Sequence, residues 1–155
     1  MGDGGDGERC AISWRGEDGE KRTWTYAELL AQSCKVANAL AALGVGPGDA
    51  VAIYMPMIPE IAAAFMGIAR LGAMVVPLFS GFAPPAIATR LADANAKAVL
   101  TVDATIRAGR KIPLEPVLVE ALSEAPTVER VISLRRFGGI AADPHRDRDI
   151  HPIPE

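Results

Sequence analysis

Apolar positions in this chain fall into short unbroken runs that alternate with helically spaced ones. Residues 51–54, Val-Ala-Ile-Tyr, are entered through Gly46-Pro47-Gly48 and stopped by Pro56, the pattern of a fully buried strand. A helix is expected next. Pro59 suits a first helical turn, where its missing N–H is not needed, and Ile58, Ile61, Ala62, Phe65, Ala69 and Leu71 recur at helical spacing until Gly72. A second apolar run over 73–78 completes a strand–helix–strand unit whose connection is long enough to make the strands parallel.

The flanking segments fit around this unit. Thr25-Tyr26-Ala27-Glu28 has the form of a capping box, in which the hydroxyl and the carboxylate each satisfy a free N–H at a helix start, worth about 1 kcal/mol. In the helix that follows, Tyr26, Leu29, Leu30, Ser33, Ala37, Leu40 and Leu43 share one face and Gly44 supplies the stop, so this stripe should lie on the sheet. Upstream, 10–14 and 22–25 read as strands joined by a turn at 16–20, and residues 1–9 as a flexible tail. Downstream, 79–85 reads as a loop opening a helix near 87–94, and 98–102 as the next parallel strand. Residues 103–111 then form a loop at that strand's carboxyl end, where ligands sit in open α/β sheets. A helix over 114–122, a last strand over 128–134 and a surface connection or tail over 136–155 complete the reading. The alternation predicts a three-layer α/β fold over 10–135, an open, mostly parallel sheet with helices on both faces.

Composition narrows the function. The 155 residues are 50% hydrophobic, enough for a real core, and the net charge of −3 argues against nucleic acid or an anionic membrane as main partner. Residues 71–89 carry no charge, but Gly72, Pro77, Gly81, Pro84 and Pro85 break them up, so they do not read as a membrane span. Cys10 and Cys34 have no zinc spacing and read as reduced thiols, and His145 and His151 read as solvated. The acidic, glycine-rich start MGDGGDGE is unlike a secretory signal, so the cytoplasm is the expected location.

The chain lacks GxxxxGK[ST], GxGxxG, GxSxG and HExxH motifs, and no catalytic or metal-ligating set stands out. One cluster does: Arg107-Ala108-Gly109-Arg110-Lys111 places three positive charges in five residues, with a small pair in the middle that lets a ligand approach the backbone. Arginine forks grip phosphate oxygens in pairs and stack on aromatic bases. On its own such a cluster is more often a solvated loop, and a glycine after a strand such as Gly81 is usually just a turn residue.

Longer stretches carry a resemblance. RTWTYAELL, KVANALAALGVGPGDAVAIYMPMIPE, ARLGAMVVPLFSGFAPPAIATRLADANAKAVLTVD and RAGRKIPLEPVLVEAL are similar to the N-terminal part of the AMP-forming acyl-CoA synthetases of the adenylate-forming superfamily. MPMIPE and RAGRKIPL most resemble the acetyl-/propionyl-CoA synthetase branch. The resemblance implies an incomplete portion of a larger N-terminal domain. It also implies a two-step acid–CoA ligase, in which a short carboxylic acid and ATP with Mg2+ give an acyl-adenylate and pyrophosphate, and CoA then gives acyl-CoA and AMP. It assigns Arg107, Ala108, Gly109 and Arg110 to the phosphorylated adenosine end of CoA, sets Gly81 against the CoA nucleotide, and leaves the ATP and Mg2+ sites beyond Glu155. The chain alone is then expected to be inactive. It departs from the family where Phe79-Ser80-Gly81-Phe82-Ala83-Pro84-Pro85 replaces the usual Phe-Gly-Gly-Phe-Ser-Pro-Glu, losing a helix cap and an acidic first-turn residue. Two rivals stay open: a truncated relative that self-associates through an exposed sheet edge, and a ligase for a longer acyl or aryl acid.

Overall fold

The turn, cap and periodicity signals correspond to thirteen elements in the computed structural model, which describes residues 6–137 and the backbone of 150–152. These are β1 (Cys10–Arg15), β2 (Lys21–Thr25), α1 (Tyr26–Ala42), β3 (Ala50–Tyr54), α2 (Pro59–Arg70), β4 (Met74–Leu78) and α3 (Pro84–Asp93), then β5 (Ala96–Val102), β6 (Ala104–Arg107), β7 (Arg110–Pro113), α4 (Glu115–Leu122), β8 (Arg130–Leu134) and β9 (Ile150–Pro152). Residues 1–5 and His145, both assigned to tails from the sequence, lie outside the described residues, as does the His151 side chain.

The apolar run of β3 is buried at every position because it is an interior strand whose two faces are both covered by helices. The sheet runs β4-β3-β5-β8-β9, and every pair in it is parallel. From β3 the chain reaches its neighbour β4 through α2, then returns past β3 to β5 through α3. Right-handed crossovers therefore put α2 and α3 on opposite faces. With α1 packed on α2 and α4 on α3, the result is the expected three-layer α/β fold. Val51, Val99, Leu100 and Ile132 of the sheet, with Leu40, Ile68, Leu91 and Leu118 of the helices, belong to one continuous core. The chain leaves β3 and β5 toward opposite faces, so a crevice opens at their carboxyl ends.

Local chemistry explains most boundaries. The capping box is formed in full, with the Glu28 N–H donating to Thr25 Oγ1 at 3.2 Å and the Thr25 N–H to Glu28 Oε2 at 2.7 Å. Residues 6–9, within the stretch read as a tail, supply acceptors to the same helix start: Tyr26 and Ala27 donate to the Arg9 and Gly7 carbonyls at 3.0 and 2.9 Å. At its other end Gly44 adopts φ +83°, and Lys97 Nζ donates to the Gly44 carbonyl at 2.9 Å while pairing with Asp49 at 3.0 Å. The Gly46 N–H and then Lys97 hold the Asp49 carboxyl below its ordinary pKa.

Five expectations are corrected. The α1 stripe lies chiefly on α2 and not on the sheet; Tyr26 and Leu30 are 55% and 54% exposed, while Val36 is buried. The buried face of α2 is Pro59, Ala63, Ala64, Gly67 and Ile68, and Phe65, expected inside, is exposed. The cause is the close approach of the two helices, since a Cβ on Gly67 would lie 2.7 Å from Val36 Cβ and 2.9 Å from the Ser33 carbonyl oxygen. Small residues therefore face inward. Residues 104–113 form an antiparallel ribbon, not a loop, and α3 begins at Pro84, since proline is accepted in a first helical turn. Finally, Ile150–Pro152, inside the stretch read as a surface connection, pairs with β8.

Among the described residues no helix is long and apolar enough to cross a membrane, and no cluster of His, Cys, Asp and Glu is placed to hold a metal ion.

Candidate functional site

Three loops meet at the crevice above the carboxyl ends of the sheet. After β3, residues 55–58 turn toward α2; after β4, residues 79–83 turn toward α3; after β5, the β6–β7 ribbon follows at the carboxyl end of the sheet's central strand. A cleft of about 280 Å3 lies among them, lined by Trp14, Met57, Ser80, Ile106, Arg107 and Arg136 together with the turn between β1 and β2.

The ribbon is anchored at its base by Asp103, which is 5% exposed. Its carboxylate accepts the Ala104, Arg136 and Phe137 N–H groups at 2.9, 3.0 and 3.0 Å, and its carbonyl accepts the Leu114 N–H at 2.9 Å. These bonds tie both ends of the ribbon to the end of β8. Nearby, buried Glu115 accepts the Ser133 hydroxyl at 2.5 Å and pairs with Arg135 at 3.2 Å.

At the tip, Ala108 and Gly109 both have positive φ, +51° and +69°, as a two-residue hairpin turn of the I′ kind requires. That turn sets Arg107 directly opposite Arg110. Two like charges at such a site repel, which disfavours the ribbon and favours an anion between them. Lys111, opposite Ile106, places its ammonium 4.9 Å from the Phe137 ring centre.

Arg107 also reaches the loop after β4. Its Nη2 donates to Ser80 Oγ at 3.3 Å and its guanidinium carbon lies 5.8 Å from the centre of the Phe79 ring. Phe79 meets Phe82 edge to face at 5.6 Å, and Arg90 covers Phe82 at 4.3 Å. Gly81 lies beneath Phe79, and a Cβ there would come within 2.6 Å of Phe79 Cε1. The absent side chain is thus the space that the aromatic ring fills. From below, Tyr54 donates its hydroxyl to the Ser80 carbonyl at 3.4 Å. Burial raises the Tyr54 pKa and the Arg107 charge pulls it partly back.

The candidate residues are therefore sorted by position. Gly81 and Arg107 are brought together through Ser80 and Phe79, Arg110 faces Arg107, and Ala108 and Gly109 form the turn between them. Trp14, Tyr54, Ser80, Asp103 and Arg136 also build the region and were not among the candidate site residues read from the sequence. Trp14 donates to the Met57 carbonyl at 2.5 Å and is stacked by Arg136, which pairs with Glu20 at 3.3 Å. An aspartate directly after the apolar run of β5 and an arginine pair directly after β8 were the available signals.

Comparison with known proteins identifies the family. The sequence profile described as AMP-binding enzyme matches residues 4–150. The chain belongs to the AMP-binding enzyme family. Within that family it is 47% identical over 147 residues to the acetyl-coenzyme A synthetase of Sodalis glossinidius, covering 93% of this chain and 22% of the relative. It is 49% identical over 136 residues to that of Shewanella frigidimarina, covering 86% of this chain and 21% of the relative. Among solved structures, acetoacetyl-CoA synthetase from Streptomyces lividans superposes with a TM-score of 0.83 at 28% identity, over 94% of this chain and 22% of that one. The chain spans about a fifth of the length of these AMP-binding relatives.

Proposed function

We propose that this chain is the N-terminal part of an AMP-forming short-chain acyl-CoA synthetase, working in the cytoplasm on a short carboxylic acid, ATP with Mg2+, and CoA. In the first step the carboxylate attacks the α-phosphorus of ATP and displaces pyrophosphate; in the second the CoA thiol displaces AMP from the acyl-adenylate. This chain contributes to the second step. Arg107 and Arg110 receive the phosphates of the CoA nucleotide, Ala108 and Gly109 let it approach the backbone, and Gly81 keeps Phe79 in place beside it. The ATP and Mg2+ sites lie on residues outside this chain, which by itself forms no adenylate.

The opposed arginines carry the proposal. An arginine pair set opposite one another in the ribbon register at a sheet's carboxyl end, one of them beside an exposed aromatic ring, suits a phosphorylated, base-bearing ligand. In the complete synthetase, Arg107→Ala with Arg110→Ala should raise the KM for CoA about tenfold or more, the loss of about 1.4 kcal/mol or more of binding. Acid-dependent exchange of pyrophosphate into ATP should continue unchanged. An unaltered KM for CoA removes the assignment. Comparing acetate, propionate and longer or aryl acids in the same exchange assay separates a short-chain ligase from one for larger acids.

A second reading rests on a different observation. The outer edge of β4 has no partner strand among the described residues, and Met74 on it is 55% exposed. A free-standing chain would associate with itself there. Pro77 within the same strand opposes that pairing by removing an N–H. Light scattering across a concentration series tests it, and a constant monomer mass excludes it.

A further inference from the structure

Ser80 is gripped at two points by groups from two different strands. Tyr54, only 1% exposed at the end of β3, donates to its carbonyl at 3.4 Å, and the Tyr54 carbonyl in turn accepts Thr101 Oγ1 at 2.9 Å from β5. The first grip fixes the Ser80 backbone to the sheet. The second is the bond from Arg107 Nη2 to Ser80 Oγ at 3.3 Å, which crosses from the ribbon to the loop after β4.

An exposed arginine on the first residue before a turn has many rotamers open to it, and a ligand that needs one of them loses affinity to the ordering. The Ser80 hydroxyl selects one. It accepts a single N–H of the five on the guanidinium, holds the group beside Phe79 at the rim of the cleft, and leaves the other four N–H groups for an incoming anion.

We propose that Ser80, anchored by Tyr54, is a positioning residue that pre-orders Arg107 for a nucleotide phosphate. The inference rests on the reading of Arg107 as part of the CoA nucleotide site. It adds a hydroxyl-bearing residue whose effect passes through the guanidinium and not through adenylate chemistry.

A double-mutant cycle in the complete synthetase tests both levels. The KM for CoA, kcat and acid-dependent pyrophosphate exchange are measured for the parent, Ser80→Ala, Arg107→Ala and the double variant. Ser80→Ala should raise the KM for CoA about three- to tenfold, the range expected for releasing one rotamer-rich side chain. Its kcat and exchange rate should stay within about twofold of the parent, which also shows that the variant is folded. The double variant should be no worse than Arg107→Ala. If Arg107→Ala raises the KM and Ser80→Ala does not, the positioning role is wrong and the nucleotide site stands. If the two effects multiply in full, Ser80 does not act through Arg107 and the proposal is overturned. If Arg107→Ala itself changes nothing, the nucleotide-site reading fails and takes the positioning role with it.

Discussion

The β3–β5 ladder and the β6–β7 ribbon are separated in the chain by Asp103 alone, yet they are built on opposite rules. Along the ladder every side chain is buried except Lys97, and local preference, burial and pairing agree. Along the ribbon they conflict: Arg107 faces Arg110, and Ala108 holds a left-handed conformation that disfavours a side chain by roughly 1–2 kcal/mol. Opposed like charges add roughly 0.2–1 kcal/mol to that. A fold keeps such a segment only when something else fixes it, here the Asp103 bonds at its base. Where local rules are broken in an otherwise consistent chain, function is the first explanation to test. In the ladder sequence serves stability; in the ribbon, on the function proposed above, it serves a ligand.

The strongest test of that division is on the ladder side. Leu100 is completely buried between β3 and β8, and Leu100→Ala should destabilise by about 2–5 kcal/mol, seen as a large drop in the thermal midpoint. In the complete synthetase, at temperatures where the variant is still folded, the KM for CoA should match the parent's. A KM that rises in parallel with the loss of stability would show that the site is not separable from the core.

Next in size is the helix crossing. Gly67→Ala must push a methyl into Val36 and the Ser33 carbonyl, so α1 and α2 have to separate at a cost of about 1–3 kcal/mol. Again the KM for CoA should not respond. The mirror-image test is on the ribbon, where Arg107→Ala with Arg110→Ala removes the mutual repulsion. The thermal midpoint should hold or rise slightly while affinity for CoA falls about tenfold. A variant that instead melts lower would mean that the arginines are structural.

What the sequence revealed divides along the same line. The buried ladder was legible because its apolar runs, the capping box at Thr25 and Glu28, and Pro59 in a first turn are local signals that packing did not override. The facing of α2 was not legible. That helix is apolar nearly all round, so period alone cannot say which side is inside, and the decisive residue was a glycine that periodicity does not count. The ribbon was read as a loop because its turn is Ala-Gly where the usual signal is Asn-Gly, and because charged residues surround it. The basic cluster itself was visible. Its geometry, with Arg107 set opposite Arg110 and bonded to Ser80, depends on a hairpin register and a loop 27 residues upstream, neither of which spacing encodes.

The smallest effect discriminates between two reasons for the ribbon's strain. In a turn with positive φ at both central residues, asparagine before glycine is the favoured pair, since its side chain tolerates the left-handed region better than alanine does. Ala108→Asn should therefore relieve part of the strain, stabilising by roughly 0.5 kcal/mol and raising the thermal midpoint by a degree or two. If alanine is there only because the strain is affordable, nothing else changes. If the small side chain is needed so that a phosphate can settle against the backbone between Arg107 and Arg110, the larger amide stands in its way. We expect the second outcome: a more stable protein whose KM for CoA is at least twofold higher. A more stable protein with an unaltered KM would leave recognition to the two guanidinium groups alone, and the close approach at Ala108 and Gly109 would drop out of the site.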